Sequence, residues 1–192
     1  MTFSEFSFLV RSDLFRYNGR YNLRAFIAEY FHNPGFTYSF WMRTAHYFWK
    51  QSKIYFPFFA VCRFILGHYQ YKYGIAIPYK TSIASGFYIG HFGGIVISAH
   101  AVIGKNCNIS QGVTIGVSSR GKRKGYPVIG DNVYIGPGAK IFGSIKIADH
   151  VAIGANSVVT KDIHENAVSV GIPSQVISDN GSHGYINNID YP

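Results

Sequence analysis

Residues 128–163 read "VIGDNVYIGPGAKIFGSIKIADHVAIGANSVVTKDI", and this stretch repeats with a period of six. Ile129, Ile135, Ile141, Ile147, Ile153 and Val159 fall six apart, and glycine follows several of them, as at Gly130, Gly136 and Gly154. Small or apolar residues return four places on, at Ala139, Val151 and Ser157. An amphipathic helix repeats near 3.6 and a half-buried strand at 2, so neither produces a six-residue repeat. A parallel β-helix does: each six-residue unit makes one short strand and a turn, and three units close one triangular coil. The repeated aliphatic then points inward and stacks on its copy about 4.8 Å away in the next coil.

The same period extends toward the N-terminus. Ile77, Ile83, Ile89, Ile95, Ala101, Cys107 and Val113 continue the series of six. The stretch "VSSRGKRKGYP" (117–127) interrupts it. A loop leaving a solenoid corner costs little stability, and such loops often carry function. This one crowds Arg120, Lys122, Arg123 and Lys124, so it is either a solvated surface loop or an arm that meets an anionic ligand at a subunit boundary.

Residues 1–72 follow a different rule. "NLRAFIAEYFHNPGFTYSFWMRTAHYFWKQ" places aromatic and aliphatic residues at helical spacing, with Asn33-Pro34-Gly35 as the break between two helices. A third helix is expected over about 55–71. The expected organisation is therefore an N-terminal helical region (1–72), a β-helix domain (73–178) with the 117–127 loop, and a C-terminal tail (179–192) without periodicity that reads as extended or mobile. The aromatic load packs on the first coil and on neighbouring subunits, or it serves a membrane surface, as a basic aromatic-rich helix can.

Composition narrows the function classes. Of 192 residues 47% are hydrophobic and 14% charged, which argues against disorder. A formal charge of +9 suits an anionic partner: nucleic acid, a phosphorylated cofactor or an anionic membrane. No nucleic-acid motif accompanies that charge, so no nucleic-acid partner is expected. Cys62 and Cys107 make neither a disulfide framework nor a metal pattern, and read as buried small hydrophobes of a cytoplasmic protein. The start "MTFSEFSFLVRSD" lacks the form of a signal peptide, and "IYFPFFAVCRFILG" (54–67) is too short to span a bilayer.

The stretch "GHFGGIVISAHAVIGKNCNISQGVTIG" (90–116), the repeats of 128–163 and the closing "VGIPSQVIS" (170–178) resemble the left-handed β-helix acyltransferases, especially the serine acetyltransferase branch. The resemblance is strong over 74–178 and loose over the helices. It implies a homotrimer with acetyl-CoA between neighbouring prisms, no metal, and His91 as the catalytic base. Moving an acetyl group from a thioester to a hydroxyl needs a base for the proton and donors for the tetrahedral oxyanion. Imidazole suits the first task near neutral pH. His100 reads as a solvated turn residue.

Departures from that branch shape the expected substrate. The position of the aspartate that orients the histidine is Ala76; the acidic position just before the histidine is Gly90; the carboxylate-gripping Arg-His pair is Gly125-Tyr126. With that charge pairing gone, L-serine is not the expected acceptor. The resemblance moves to the serine acetyltransferase-like O-acetyltransferases of bacterial capsule, O-antigen and exopolysaccharide synthesis, which implies a saccharide acceptor and a cytoplasmic enzyme, with peripheral association at the inner face of the membrane left open. Tyr88, Phe92 and Tyr126 are the candidate stacking surfaces, and Asn108 and Gln111 the candidate hydrogen-bonding groups. Asp13 is assigned to substrate binding, to orienting His91, or to capping a helix that starts near it. Gly116, Gly136, Pro137 and Ala155 match positions lining the cofactor groove. Thr160 and Lys161 match positions at its nucleotide end, with Arg120 and Lys122 as candidate phosphate ligands. A serine O-acetyltransferase of cysteine synthesis, a non-catalytic β-helix scaffold and an amino-sugar N-acetyltransferase remain as rivals.

Overall fold

The computed structural model describes residues 1–191. Four helices, α1 (Phe3–Asn18), α2 (Leu23–His32), α3 (Pro34–Trp49) and α4 (Phe56–Tyr73), precede fifteen short strands. Pro34 occupies the first turn of α3, where its missing N–H costs nothing, so Asn33-Pro34 does separate two helices. The strands form three parallel sheets, one per face of a prism. The first face runs β1 (Ile75–Ala76), β4 (Ile95–Ile97), β7 (Thr114–Gly116), β10 (Lys140–Phe142) and β13 (Val158–Val159). The second runs β2 (Ser82–Ile83), β5 (Val102–Ile103), β8 (Val128–Ile129) and β11 (Lys146–Ile147). The third runs β3 (Tyr88–Ile89), β6 (Asn108–Ile109), β9 (Tyr134–Ile135), β12 (Ala152–Ile153) and β14 (Val168–Gly171), and closes with the antiparallel β15 (Ser174–Ser178).

The repeat aliphatics fill the prism, but their phase differs from a single unbroken series. Ile95 lies opposite Ile75, 20 residues back, whereas Thr114 lies opposite Val96, 18 residues back. The inward ladder is therefore Ile77, Ile83, Ile89, then Ile97, Ile103, Ile109 and Ile115. Ile95, Ala101, Cys107 and Val113 are also buried, two places ahead of the ladder, because both residues flanking each outward position point inward. The shift is local: Ile89 keeps its partner Ile109, while the Gly93 carbonyl already accepts from the Gly112 N–H. The extra pair without a counterpart in the next coil is His91–Phe92. A second excess follows β7, where Lys140 lies 26 residues beyond its partner Thr114, eight more than one coil. Those residues fold as a small hairpin, with Ser118 and Gly125 exchanging two 3.0 Å backbone hydrogen bonds.

The helices complete the first coil, whose strands have backbone groups with no preceding strand to pair with. The Tyr38 hydroxyl both donates to and accepts from the Ile77 backbone at 3.0 Å. Tyr17 makes the same two contacts to Ile89 at 3.3 Å. Arg43 donates to the carbonyls of Ile83 and Ala84, and Asp13 accepts from the Phe87 N–H at 2.9 Å. Each prism face thus receives side-chain partners from the helices. Gly35 allows the approach of α3: a Cβ there would lie 2.4 Å from the Ile89 carbonyl oxygen.

The tail is fixed, contrary to the reading from its lack of periodicity. Tyr185 stacks on Tyr134 with centroids 4.3 Å apart, and the Ser182 hydroxyl donates to the Asn132 carbonyl. The Asn187 carbonyl accepts from Arg16 Nε at 2.7 Å, and the Tyr191 hydroxyl meets that of Ser85 at 2.8 Å. The segment runs back along the corner between the second and third faces and straps onto α1. Both cysteines are free and buried, and burial pushes the Cys107 thiol up to about 12.

Candidate active site

Two corners flank the first face, and the expected site residues divide between them. The corner entering this face carries His91 and Phe92, then Gln111, then Gly136 and Pro137, then Ala155, one group per coil. Backbone hydrogen bonds hold the column: Gly112 N–H to the Gly93 carbonyl, Gly138 N–H to that of Gln111, and Asn156 N–H to that of Pro137, all 2.8–2.9 Å. Gly94, Gly112 and Gly138 all adopt positive φ here, and the edge they form has no side chains. A Cβ on Gly112 would meet Gly138 Cα at 3.3 Å, and one on Gly138 would meet Asn156 Oδ1 at 2.0 Å. An extended ligand can therefore lie against the backbone along this edge, and His91 stands at one end of it, exposed and out of the ladder.

The walls near His91 are aromatic. Phe92 is half exposed, with its ring 5.7 Å from that of Tyr73 at the end of α4. Tyr88 lies between Gly90 and the Tyr17 ring, 4.6 Å away, under the α1 side of the cap. Gly90 leaves room for it: a Cβ there would sit 3.3 Å from Tyr88 Cε1. Ala76 is half-buried on the outer side of β1 and offers His91 no carboxylate.

Two expected ligands are elsewhere. Asp13 is in the third turn of α1, not at a helix start, where Thr2 caps with Glu5 as its reciprocal partner. The Asp13 carboxylate is buried and accepts from Arg43 Nε at 3.0 Å, Arg43 Nη2 at 3.1 Å, Ser39 Oγ at 2.5 Å and the Phe87 N–H. With its oxygens engaged by four donors, it neither orients His91 nor reaches an acceptor. Asn108 is also buried. Its carbonyl oxygen accepts from Arg16 at 2.7 Å and its amide donates to the Tyr185 carbonyl at 2.9 Å, so it joins α1 to the tail. Burial lowers the Arg16 pKa, and these neutral oxygen partners hold the guanidinium in place.

The corner leaving the first face holds the 117–127 hairpin, Gly116, Thr160 and Lys161. Tyr126 packs on His100 with centroids 4.7 Å apart, and within one chain both are separated from His91 by the width of the face. Arg123 is spent on Asp162 (2.9 Å), while Arg120 and Lys122 are exposed. The Lys146 backbone N–H, aided by Arg123, holds the Asp162 carboxyl below its usual range. Between the corners Lys140 crosses the outer face to the Gly112 carbonyl and to Thr114 Oγ1, 3.1 Å away. Nothing in the periodicity marked Lys140; the two-residue phase shift does mark His91–Phe92.

Residues 126–161 match the family model described as bacterial transferase hexapeptide (six repeats). The chain is 36% identical over 149 residues to the serine acetyltransferase of Synechococcus elongatus, covering 77% of this chain and 59% of that protein. With the serine acetyltransferase of Bacillus pumilus the identity is 39% over 139 residues, covering 72% and 62%. The chain thus spans about three fifths of the length of the curated relatives it matches. Among solved structures, the Brucella abortus serine acetyltransferase superposes with a TM-score of 0.77 at 28% identity, covering 94% of this chain and 72% of that one. The Neisseria gonorrhoeae serine acetyltransferase in complex with serine gives 0.76 at 27% identity, covering 92% and 70%. The prism is a left-handed β-helix of hexapeptide repeats. These relatives are serine acetyltransferases, and they overturn the expectation of polysaccharide acetyl transfer.

Proposed function

We propose that this hexapeptide-repeat protein is an acetyl-CoA-dependent O-acetyltransferase whose acceptor is L-serine. The carrying observation is the placement of His91 at the end of a corner column edged by Gly94, Gly112 and Gly138, in the only two-residue insertion of the ladder among the described residues. The names of its relatives support the serine acceptor.

His91 takes the proton from the acceptor hydroxyl as its oxygen attacks the thioester carbonyl carbon. The tetrahedral intermediate collapses with loss of the C–S bond, and the imidazolium returns the proton to the leaving sulfur. Gly94, Gly112 and Gly138 let the pantetheine arm lie on the backbone along the column, bordered by Gln111, Gly136, Pro137 and Ala155. Lys140 polarises this wall between the two corners. Arg120, Lys122 and Lys161, with Thr160, supply charge and hydrogen bonds to the phosphates at the far end.

The same reading requires a homotrimer. Within one chain the His91 corner and the hairpin corner border opposite edges of one face, so a ligand touching both must lie between two copies. The hairpin and Tyr126 of a neighbour then stand opposite His91. Without a carboxylate at Ala76 or Gly90, cationic hairpin residues rather than an acidic pair meet the zwitterion, through its carboxylate. Thiol release from acetyl-CoA should depend on L-serine; turnover with no response to L-serine removes this acceptor.

A further inference from the structure

The outer side of α4 has no role in the site or the core. Ile54 just before the helix is 78% exposed, and along the helix Phe56 is 64%, Val61 58%, Phe64 81% and Tyr71 87% exposed. Beside this stripe runs a groove between α3 and α4, lined by Phe40, Trp41, Phe48, Phe58, Val61 and Cys62. Contiguous apolar surface of this kind marks an interaction site. No helix among the described residues is long and apolar enough to cross a membrane.

Charge identifies the partner. Residues 30–130 contain no Asp or Glu at all, but eleven Lys or Arg. Lys50, Lys53, Arg63 and Lys72 are exposed around the α4 stripe. Arg63 lies over the Tyr79 ring, 4.9 Å from its centroid, and Lys72 over that of Tyr73 at 5.5 Å, so both are held beside the apolar surface. Another copy docking through the same stripe would bring one cationic rim against another, with no carboxylate in this segment to relieve it. A surface with buried apolar depth and negative headgroups satisfies both features together.

We propose that α4 docks this protein peripherally on anionic lipid bilayers, inserting Phe56, Val61 and Phe64 at the headgroup boundary with Lys53 and Arg63 on the phosphates. This rests on α4 and is independent of the acetyl acceptor. The test is co-sedimentation of the full chain with vesicles of phosphatidylglycerol and phosphatidylcholine, against phosphatidylcholine alone. Binding is expected only with phosphatidylglycerol, weakening as salt rises. Lys53→Gln and Arg63→Gln should each weaken it about fivefold, and Phe64→Asp should abolish it while leaving the thermal melt of this exposed position unchanged. Equal binding to both vesicles, or none to either, overturns the proposal. So does a change in sedimenting mass on Phe64→Asp, which would assign the stripe to contact between copies. Should Phe64→Asp unfold, the two Gln variants decide alone.

Discussion

The Asp13 carboxylate and the Arg43 guanidinium form a buried two-bond ion pair, at 3.0 and 3.1 Å, that joins α1 to α3. Both partners also bond to the backbone of residues 83–87, so the pair clamps the helical region onto the first coil.

Removing one partner strands the other charge without solvent, which costs about 3–5 kcal/mol. Asp13→Ala should therefore lower the denaturant midpoint strongly while turnover per folded molecule stays near wild type. Turnover lost at an unchanged midpoint would return Asp13 to the active site.

His91 belongs to the inserted pair, and no ladder hydrogen bond depends on it. His91→Ala should reduce acetyl transfer by about 10² to 10⁴ and change stability by less than about 0.5 kcal/mol. Calorimetry should still detect coenzyme A binding, because the edge below His91 is the backbone of Gly94, Gly112 and Gly138. Turnover within about threefold of wild type would mean that another group takes the proton.

Truncation after Asp179 removes the Tyr185–Tyr134 stack, the Asn187 acceptor of Arg16 and the Tyr191–Ser85 contact. An aromatic pair contributes about 1 kcal/mol and a hydrogen bond to a charged group about 2, so the loss should approach 3 kcal/mol. Amide exchange should accelerate in α1 specifically. Unchanged protection in α1 would show that the tail does not hold that helix.

The prism was legible because its period of six belongs to no other regular structure. Its phase was not followed through residues 90–94, since Ile95, Ala101, Cys107 and Val113 are as apolar as the true ladder and continue the count. His91 was singled out as a residue type suited to the chemistry and through the resemblance, and the structure leaves it exposed in the inserted pair. Asp13 and Asn108 misled because a buried polar residue held by distant partners looks, in one dimension, like a free one. The tail escaped for a related reason: its order comes from contacts over more than one hundred residues, not from local pattern. The acceptor was misread by giving three departures more weight than the kinship around them.

The partnering of the first coil by Tyr17, Tyr38, Arg43 and Asp13 has a consequence for solubility. A parallel solenoid grows by translation, so an open end is a template on which another prism could add in register on three faces at once. Here the leading end offers side chains instead of free strand groups, and on the third face the trailing end turns back into the antiparallel pair β14–β15. The two ends no longer match on that face, and in-register end-to-end stacking of prisms is disfavoured. A chain that loses the helical region should keep a β-helix but gain that surface, and aggregate through its first coil.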